Sequence, residues 1–360
     1  MKKKILIVFF VIFLFQIPYI LTEKRIKVEE LKLIRVLPVK EERVFFKTTP
    51  FIVVDNFGNV YAVDNREHTV YKFDRNGKLL QKIGRKGEGP GDLEFPVHIC
   101  VRKDKVFISD NRAISIFDLN GKFINRFRKF RHIISMAVFR DTILLTESSA
   151  EKLINVYDFK GKKLNSFGEK YKVDYSIYKG WPKAYIDQMI NRGKILCSNN
   201  YIFYISYAFG DVFGYSASGK LLFKKEIKNI DFIKKSRQLL FKIGGKINKR
   251  GYYILKRKDW GYFLNDAFYF KNKIYLLLSE NYLRFSKRDI SKGEIWQFDV
   301  KTGKIERKFY FYPLERDKIN KIYTRSLAIR KNENNKLLIY ISYYDDRKGD
   351  FFIGKYIKQN

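Results

Sequence analysis

The side chains able to do chemistry are few and scattered. Three histidines, His68, His98 and His132, supply all the imidazole in 360 residues, and Cys100 and Cys197 supply all the thiol. A metal centre needs three or four His, Cys or carboxylate ligands brought to one point, and no His or Cys here has a second at ligand spacing. The sequence contains no G-x-S-x-G nucleophile elbow, no Gly-Lys-Ser/Thr phosphate loop and no His-x-x-x-His pair. The Gly-rich run from Gly84 to Gly91 joins two strand-like segments and lacks the helix whose N-terminus would cradle a nucleotide phosphate. The expectation is no metal, no cofactor and no nameable catalytic residue. The cysteines lie far apart in the chain and read as small buried apolar groups without a disulfide.

Positive charge is in excess. Lys plus Arg number 73 against 38 Asp plus Glu, a formal net charge of +35. Such a field draws polyanions. The lysines are nevertheless spread along the chain instead of gathered in one stripe, and the abundance of Ile, Asn, Tyr and Phe beside them fits a bias toward A/T-rich codons, so a compositional origin stands beside a functional one. A chain 46% hydrophobic and 17% aromatic has ample material for a core and is not disordered.

The N-terminus carries an export pattern. Lys2, Lys3 and Lys4 precede an unbroken apolar run from Ile5 to Phe15, the charged and apolar regions of a secretory leader. No small-x-small cleavage site follows between Gln16 and Lys24, so residues 1–22 read either as a signal peptide or as an uncleaved anchor. Both place the protein outside the cytoplasm, periplasmic or secreted.

The elements that must position any site come from one recurring hairpin. It is written Phe73-Asp74-Arg75-Asn76-Gly77-Lys78, Phe117-Asp118-Leu119-Asn120-Gly121-Lys122, Tyr157-Asp158-Phe159-Lys160-Gly161-Lys162, Tyr215-Ser216-Ala217-Ser218-Gly219-Lys220 and Phe298-Asp299-Val300-Lys301-Thr302-Gly303-Lys304. Strand residues meeting a Gly able to take positive φ make a tight antiparallel turn. The glycines are spaced 44, 40, 58 and 84 residues apart. A period near 40 to 45 with four strands per unit belongs to β-propellers. The two long spacings imply insertions at about 171–192, expected to hold a loop and a short helix, and at about 231–264. The latter mixes basic and aromatic residues and reads as a cap over one end of the ring or as a membrane-surface contact. A sixth blade is implied by strands Lys336 to Ser342 and Phe351 to Ile357, joined by Tyr343 to Asp350. It lacks an outer strand, while Glu30 to Val39 is a strand without a blade. The expected fold is all-β: residues 23–360 form one six-bladed β-propeller closed by the N-terminal strand pairing into the last blade.

Two further patterns carry a resemblance. The run from Ile83 to Pro96 (IGRKGEGPGDLEFP) is similar to the Gly-rich link of NHL-type repeats, and Val60-Tyr61-Ala62-Val63-Asp64-Asn65 and Val106-Phe107-Ile108-Ser109-Asp110-Asn111 resemble their strand-plus-Asp signature. The match is strong in blades one and two, recognisable in blade three and faint beyond. The chain thus resembles bacterial exported six-bladed propellers of the NHL-repeat-like superfamily, which implies a fold and no particular reaction.

On such a scaffold the links between blades and between second and third strands share one face. They place there Arg66, His68, Arg85, Arg112, Arg284, Arg288 and Arg347, side chains suited to carboxylate, sulfate or phosphate. Asp64 and Asp110 recur at matching blade positions and are assigned to turn hydrogen bonding. Aligning the innermost strands puts Phe51, His98, Ser135, Lys194, Asp266 and Ser326 near the mouth of the central channel, with His98, Lys194 and Asp266 as the polar candidates. Three functions remain open. One is a monomeric, non-catalytic exported propeller binding a partner protein, peptide or anionic ligand; another is a lyase or hydrolase working in the channel. The third, a nucleic-acid-binding NHL-type propeller, is disfavoured by the leader.

Overall fold

The computed structural model describes residues 26–110, 112–128, 130, 132–148, 150–172, 175, 182–227, 231, 233–234, 246–247, 253–254, 262–279, 292–312, 322–345 and 349–358. Arg284, Arg288, Arg347, the leader and most of 231–264 lie outside them.

Six four-stranded antiparallel units follow one another, each numbered from the axis outward. Blade one is Phe51–Val54, Val60–Asp64, Thr69–Phe73 and Leu79–Ile83; blade two is Pro96–Arg102, Lys105–Asp110, Ala113–Asp118 and Phe123–Arg128. Blade three is Ile133–Phe139, Thr142–Glu147, Ile154–Tyr157 and Lys163–Phe167, and blade four is Gly193–Cys197, Tyr201–Ser206, Val212–Ser216 and Leu221–Lys225. Blade five is Leu264–Phe270, Lys273–Leu278, Gly293–Asp299 and Ile305–Phe311. Blade six takes Ile322–Lys331, Leu337–Asp345 and Asp350–Lys358, with Lys27–Leu37 as its outer strand. Each inner strand packs against the next, and Ile322–Lys331 returns to Phe51–Val54, so the ring is closed.

The turn chemistry follows from the hairpin residues. Asp74 Oδ1 accepts the N–H groups of Asn76 and Lys78 at 2.7 and 2.9 Å, and Asp118 and Asp158 repeat the arrangement. Gly77 closes the turn at φ +89°, where a Cβ would be strained. In blade four Ser216 replaces the carboxylate and its Oγ accepts Lys220 N–H at 3.1 Å.

Stacking explains why the middle strands are buried almost throughout. Successive side chains of a strand point to opposite faces, and both faces of a blade are covered. Val60 and Ala62 pack into the seam with blade six, while Tyr61 and Val63 pack into the seam with blade two. Six apolar clusters result, one in each seam.

Closure is as expected, with two differences of detail. The N-terminal strand is Lys27–Leu37 and not Glu30 to Val39, and the last two strands run on to Asp345 and restart at Asp350, so the joining turn is shorter than Tyr343 to Asp350. Leu31 to Leu37 pair antiparallel with Lys358 to Ile353. Lys27 to Glu30 also pair in parallel with Arg307 to Tyr310 of blade five, a second partnership the sequence did not announce. Glu29 marks the junction, bridging Arg307 on blade five and Lys358 on blade six. In the 171–192 insertion the expected short helix is Lys183–Ile190. Among the described residues no helix is long and apolar enough to cross a membrane.

Candidate functional site

The inner strands carry a ring of polar residues at one level. In blades two, three, five and six a β-bulge interrupts the pairing, and His98, Ser135, Asp266 and Ser326 each follow it directly. This shared irregularity confirms that the four occupy equivalent positions; Phe51 and Lys194 hold the level in blades one and four, whose inner strands pair without a bulge.

Every member of the ring reaches the following blade. The Phe51 and His98 rings lie 5.5 Å apart between centroids. The His98 imidazole faces the backbone of Ile133 on blade three. Ser135 Oγ accepts Ile195 N–H at 3.0 Å. Lys194 Nζ lies 3.0 Å from Asp266 Oδ1. Asp266 Oδ2 accepts Ser326 O–H at 3.0 Å and Leu327 N–H at 2.9 Å. Ser326 Oγ accepts Ile52 N–H at 3.2 Å, which returns to blade one. His98, Lys194 and Asp266 therefore stand in one ring of contacts, a girdle that joins all six blades. Lys194 does not simply extend toward solvent: with Asp266 only 2% exposed, it is that carboxylate's counter-ion.

A second group stands at the mouth beside this girdle. Arg192 precedes the inner strand of blade four, and Arg325 is the bulged residue of blade six. Bulges re-aim a side chain, and Arg325 lies with its guanidinium 4.1 Å from the centre of the Phe51 ring. The Arg192 guanidinium lies over Tyr262, 5.3 Å from the ring centre. Tyr207 and Tyr262 meet edge to face, 6.2 Å between centroids, and burial and then the Asp266 charge hold the Tyr207 hydroxyl well above its ordinary value. The backbone beneath is tied: Tyr207 N–H donates to Arg192 O, and Phe263 N–H and Leu264 N–H both donate to Tyr207 O, at 3.0, 2.7 and 3.0 Å. The insertion helix supports the corner, because Asn191 caps it, bonds Asp187 and accepts Tyr204 O–H on its carbonyl.

The electrostatics are lopsided. Burial first, then Lys194, Arg192 and Arg325, press the His98 imidazole down to about 3, so it is neutral at physiological pH. Burial and the neighbouring Arg192 lower Arg325 to about 10, with Asp64 opposing them. His132 is lowered by burial and Arg192. Three cations converge, and Asp266 is committed to Lys194 and the girdle. Arg192, Lys194 and Arg325 are all half-buried.

The loop-face candidates are dispersed by comparison. Arg66, Arg85 and Arg112 are exposed, and Arg85 Nε pairs with Asp92 of its own link at 2.9 Å. His68 Nδ1 is hydrogen-bonded to the Glu94 carbonyl. Asp64 and Asp110 do the structural work assigned to them: Asp64 accepts Lys47 and Arg66 N–H groups, and Asp110 accepts Glu94 and Phe95 N–H groups and pairs with buried Arg126 at 2.7 Å. Cys100 and Cys197 are free, on the inner strands of blades two and four, and burial raises both thiols. Among the described residues no three His, Cys, Asp or Glu side chains converge as a metal site would require.

Sequence reasoning missed Arg192, Arg325, Tyr207 and Tyr262. The available signal was an Arg one or two residues ahead of the ring position in two blades, Arg192 before Lys194 and Arg325 before Ser326.

A closed ring of six blades with a basic, aromatic mouth defines the molecule as a six-bladed β-propeller. Comparison with known proteins agrees: residues 31–208 match the family described as "6-bladed beta-propeller", which bears out the resemblance to exported propellers at the level of the fold. No curated protein sequence matches the chain. Among solved structures, a Bacteroides fragilis protein described as exported is similar over 92% of this chain and 99% of its own, with 13% identity and a TM-score of 0.55. A streptogramin B lyase is similar over 91% of this chain and 98% of its own, with 11% identity and a TM-score of 0.50. At such identities both speak for the fold alone.

Proposed function

We propose that this protein is an extracytoplasmic, non-catalytic propeller that binds an anionic ligand, or an anionic group of a peptide or partner protein, at its channel mouth. The observation that carries the proposal is the meeting of Arg192, Lys194 and Arg325 around a neutral His98, with the nearby Asp266 carboxylate already committed to the girdle. Guanidinium groups lying over aromatic rings offer oriented donors to oxyanions and keep their charge at any physiological pH. The lysine-led apolar run at the N-terminus supports a place outside the cytoplasm.

Binding is favoured over turnover because the groups that could serve as acid or base are tied into neighbouring blades. His98 is buried and neutral, packed against Phe51, and Asp266 holds Lys194, Ser326 and Leu327. A thermal-shift and calorimetry screen of the full chain with carboxylate, sulfate and phosphate compounds tests this reading. Binding that weakens with salt and is lost in an Arg192→Ala/Arg325→Ala double variant is expected. Anion binding that survives the double variant would overturn the assignment, and turnover of a screened compound that stops in His98→Gln would overturn the non-catalytic reading.

A further inference from the structure

We infer that the mouth selects a doubly charged phosphomonoester over a carboxylate, through Arg192 and Arg325 acting as two forks on one group. This rests on the anion-binding reading above and adds its chemistry.

Charge counting within the described residues leads there. Lys194 is paired with Asp266 at 3.0 Å, which leaves two guanidinium charges. Each lies over its own aromatic ring, Arg192 over Tyr262 at 5.3 Å and Arg325 over Phe51 at 4.1 Å from the ring centre, and neither pairs with a carboxylate among the described residues. The two belong to one site: the Arg192 charge acts on Arg325, both act on the His98 imidazole, Arg325 is adjacent to Ser326, which donates to Asp266, and Tyr207 N–H donates to the Arg192 carbonyl. Arg192 Nε is buried without a hydrogen-bond partner in the structure, a donor that an incoming oxygen would satisfy. Two like charges held together repel, and a ligand carrying two negative charges on one group relieves that repulsion. A phosphomonoester carries about −1.5 to −2 at neutral pH and offers three terminal oxygens, whereas a carboxylate carries one charge on two.

The proton balance gives the test. The titratable and charged groups facing the site among the described residues are Arg192, Lys194, Arg325, His98, His132, Asp266, Asp64, Tyr207 and Tyr262. His98 is held near 3 and His132 below its ordinary value, so between pH 8 and pH 5 the ligand's second proton, with a pKa of about 6, dominates. Calorimetry of the full chain would use a blocked phosphoserine peptide, its glutamate counterpart, glucose 1-phosphate and sulfate. The expected result is that a phosphomonoester binds more tightly than the glutamate peptide and loses about tenfold in affinity from pH 8 to pH 5, while sulfate, doubly charged at both, stays constant. The peptide and sugar arms distinguish the carrier of the phosphate, and tight binding of either supports the inference. Arg192→Met and Arg325→Met should each weaken phosphate binding by about tenfold or more. Arg192→Lys and Arg325→Lys, which keep the charge and lose the fork, should fall between and provide the test if a Met variant fails to fold. A glutamate peptide binding as tightly as the phosphopeptide would overturn the phosphate inference and leave the anion-binding reading intact. Sulfate and phosphopeptide weakening equally at pH 5 would also overturn it, because the protein would then be titrating. Failure of every anion to bind would sink both.

Discussion

The girdle and the mouth are built from the same inner strands, a residue or two apart, yet they treat polar groups in opposite ways. In the girdle the polar side chains are spent on neighbouring blades: Ser135 on Ile195, Asp266 on Lys194, Ser326 and Leu327, Ser326 on Ile52. At the mouth the guanidiniums of Arg192 and Arg325 rest on aromatic rings and meet no carboxylate within the described residues. The difference teaches that polarity near a propeller axis is not itself a sign of function. Commitment to a neighbouring blade distinguishes structure from a site.

Mutation should separate the two sets in order of cost. Asp266→Ala would strand Lys194 and leave Leu327 N–H and Ser326 O–H unpaired, so a loss of about 3 kcal/mol or more is expected by denaturant unfolding. A loss under about 1 kcal/mol would mean the girdle is dispensable. His98 comes next. Its folded-state value is depressed to about 3 from 6.5, so its neutral form contributes stability that is fully present above about 6.5 and drains away as pH falls toward 3. The melting temperature of the wild type should therefore drop across that window, and His98→Gln should flatten the drop; a parallel curve would place the imidazole elsewhere. Ser326→Ala removes an acceptor from Ile52 N–H and a donor to Asp266, a cost of about 1 to 2 kcal/mol.

Arg325→Met keeps the packing on Phe51 and removes an unneutralised charge, so its stability should stay within about 1 kcal/mol of wild type. A large loss there would move Arg325 into the girdle and erase the distinction. Arg85→Ala, which breaks only the exposed pair with Asp92, should change stability by less than about 0.5 kcal/mol.

The fold was legible because its signals are local and repeated. An Asp or Ser followed three or four residues later by Gly-Lys marks each of the five hairpins, and a strand without a blade at one end and a blade short of its outer strand at the other specify closure. The ring position was legible for the same reason. The mouth was not, because its members come from unlike places: a residue after an insertion helix, a bulged residue, a corner after a second strand and the residue before Phe263. A bulge shifts which side chain enters the channel by one residue, and no periodicity announces it. Arg66, Arg85 and Arg112 were the candidates that the links offered in sequence, and they are exposed where Arg192 and Arg325 are half-buried over aromatic rings.

The parallel pairing of Lys27 to Glu30 with blade five has a consequence for how the ends can be handled. Leu31 hydrogen-bonds beside Lys358, residues 327 positions apart in the chain, so nearly the entire polypeptide is one loop fastened at that point. Deleting Asp350–Lys358 would leave the N-terminal strand with only its four-residue grip on blade five. Joining the two ends and opening the chain in another blade's turn would keep every ladder, trading one fastening for another at small entropic difference.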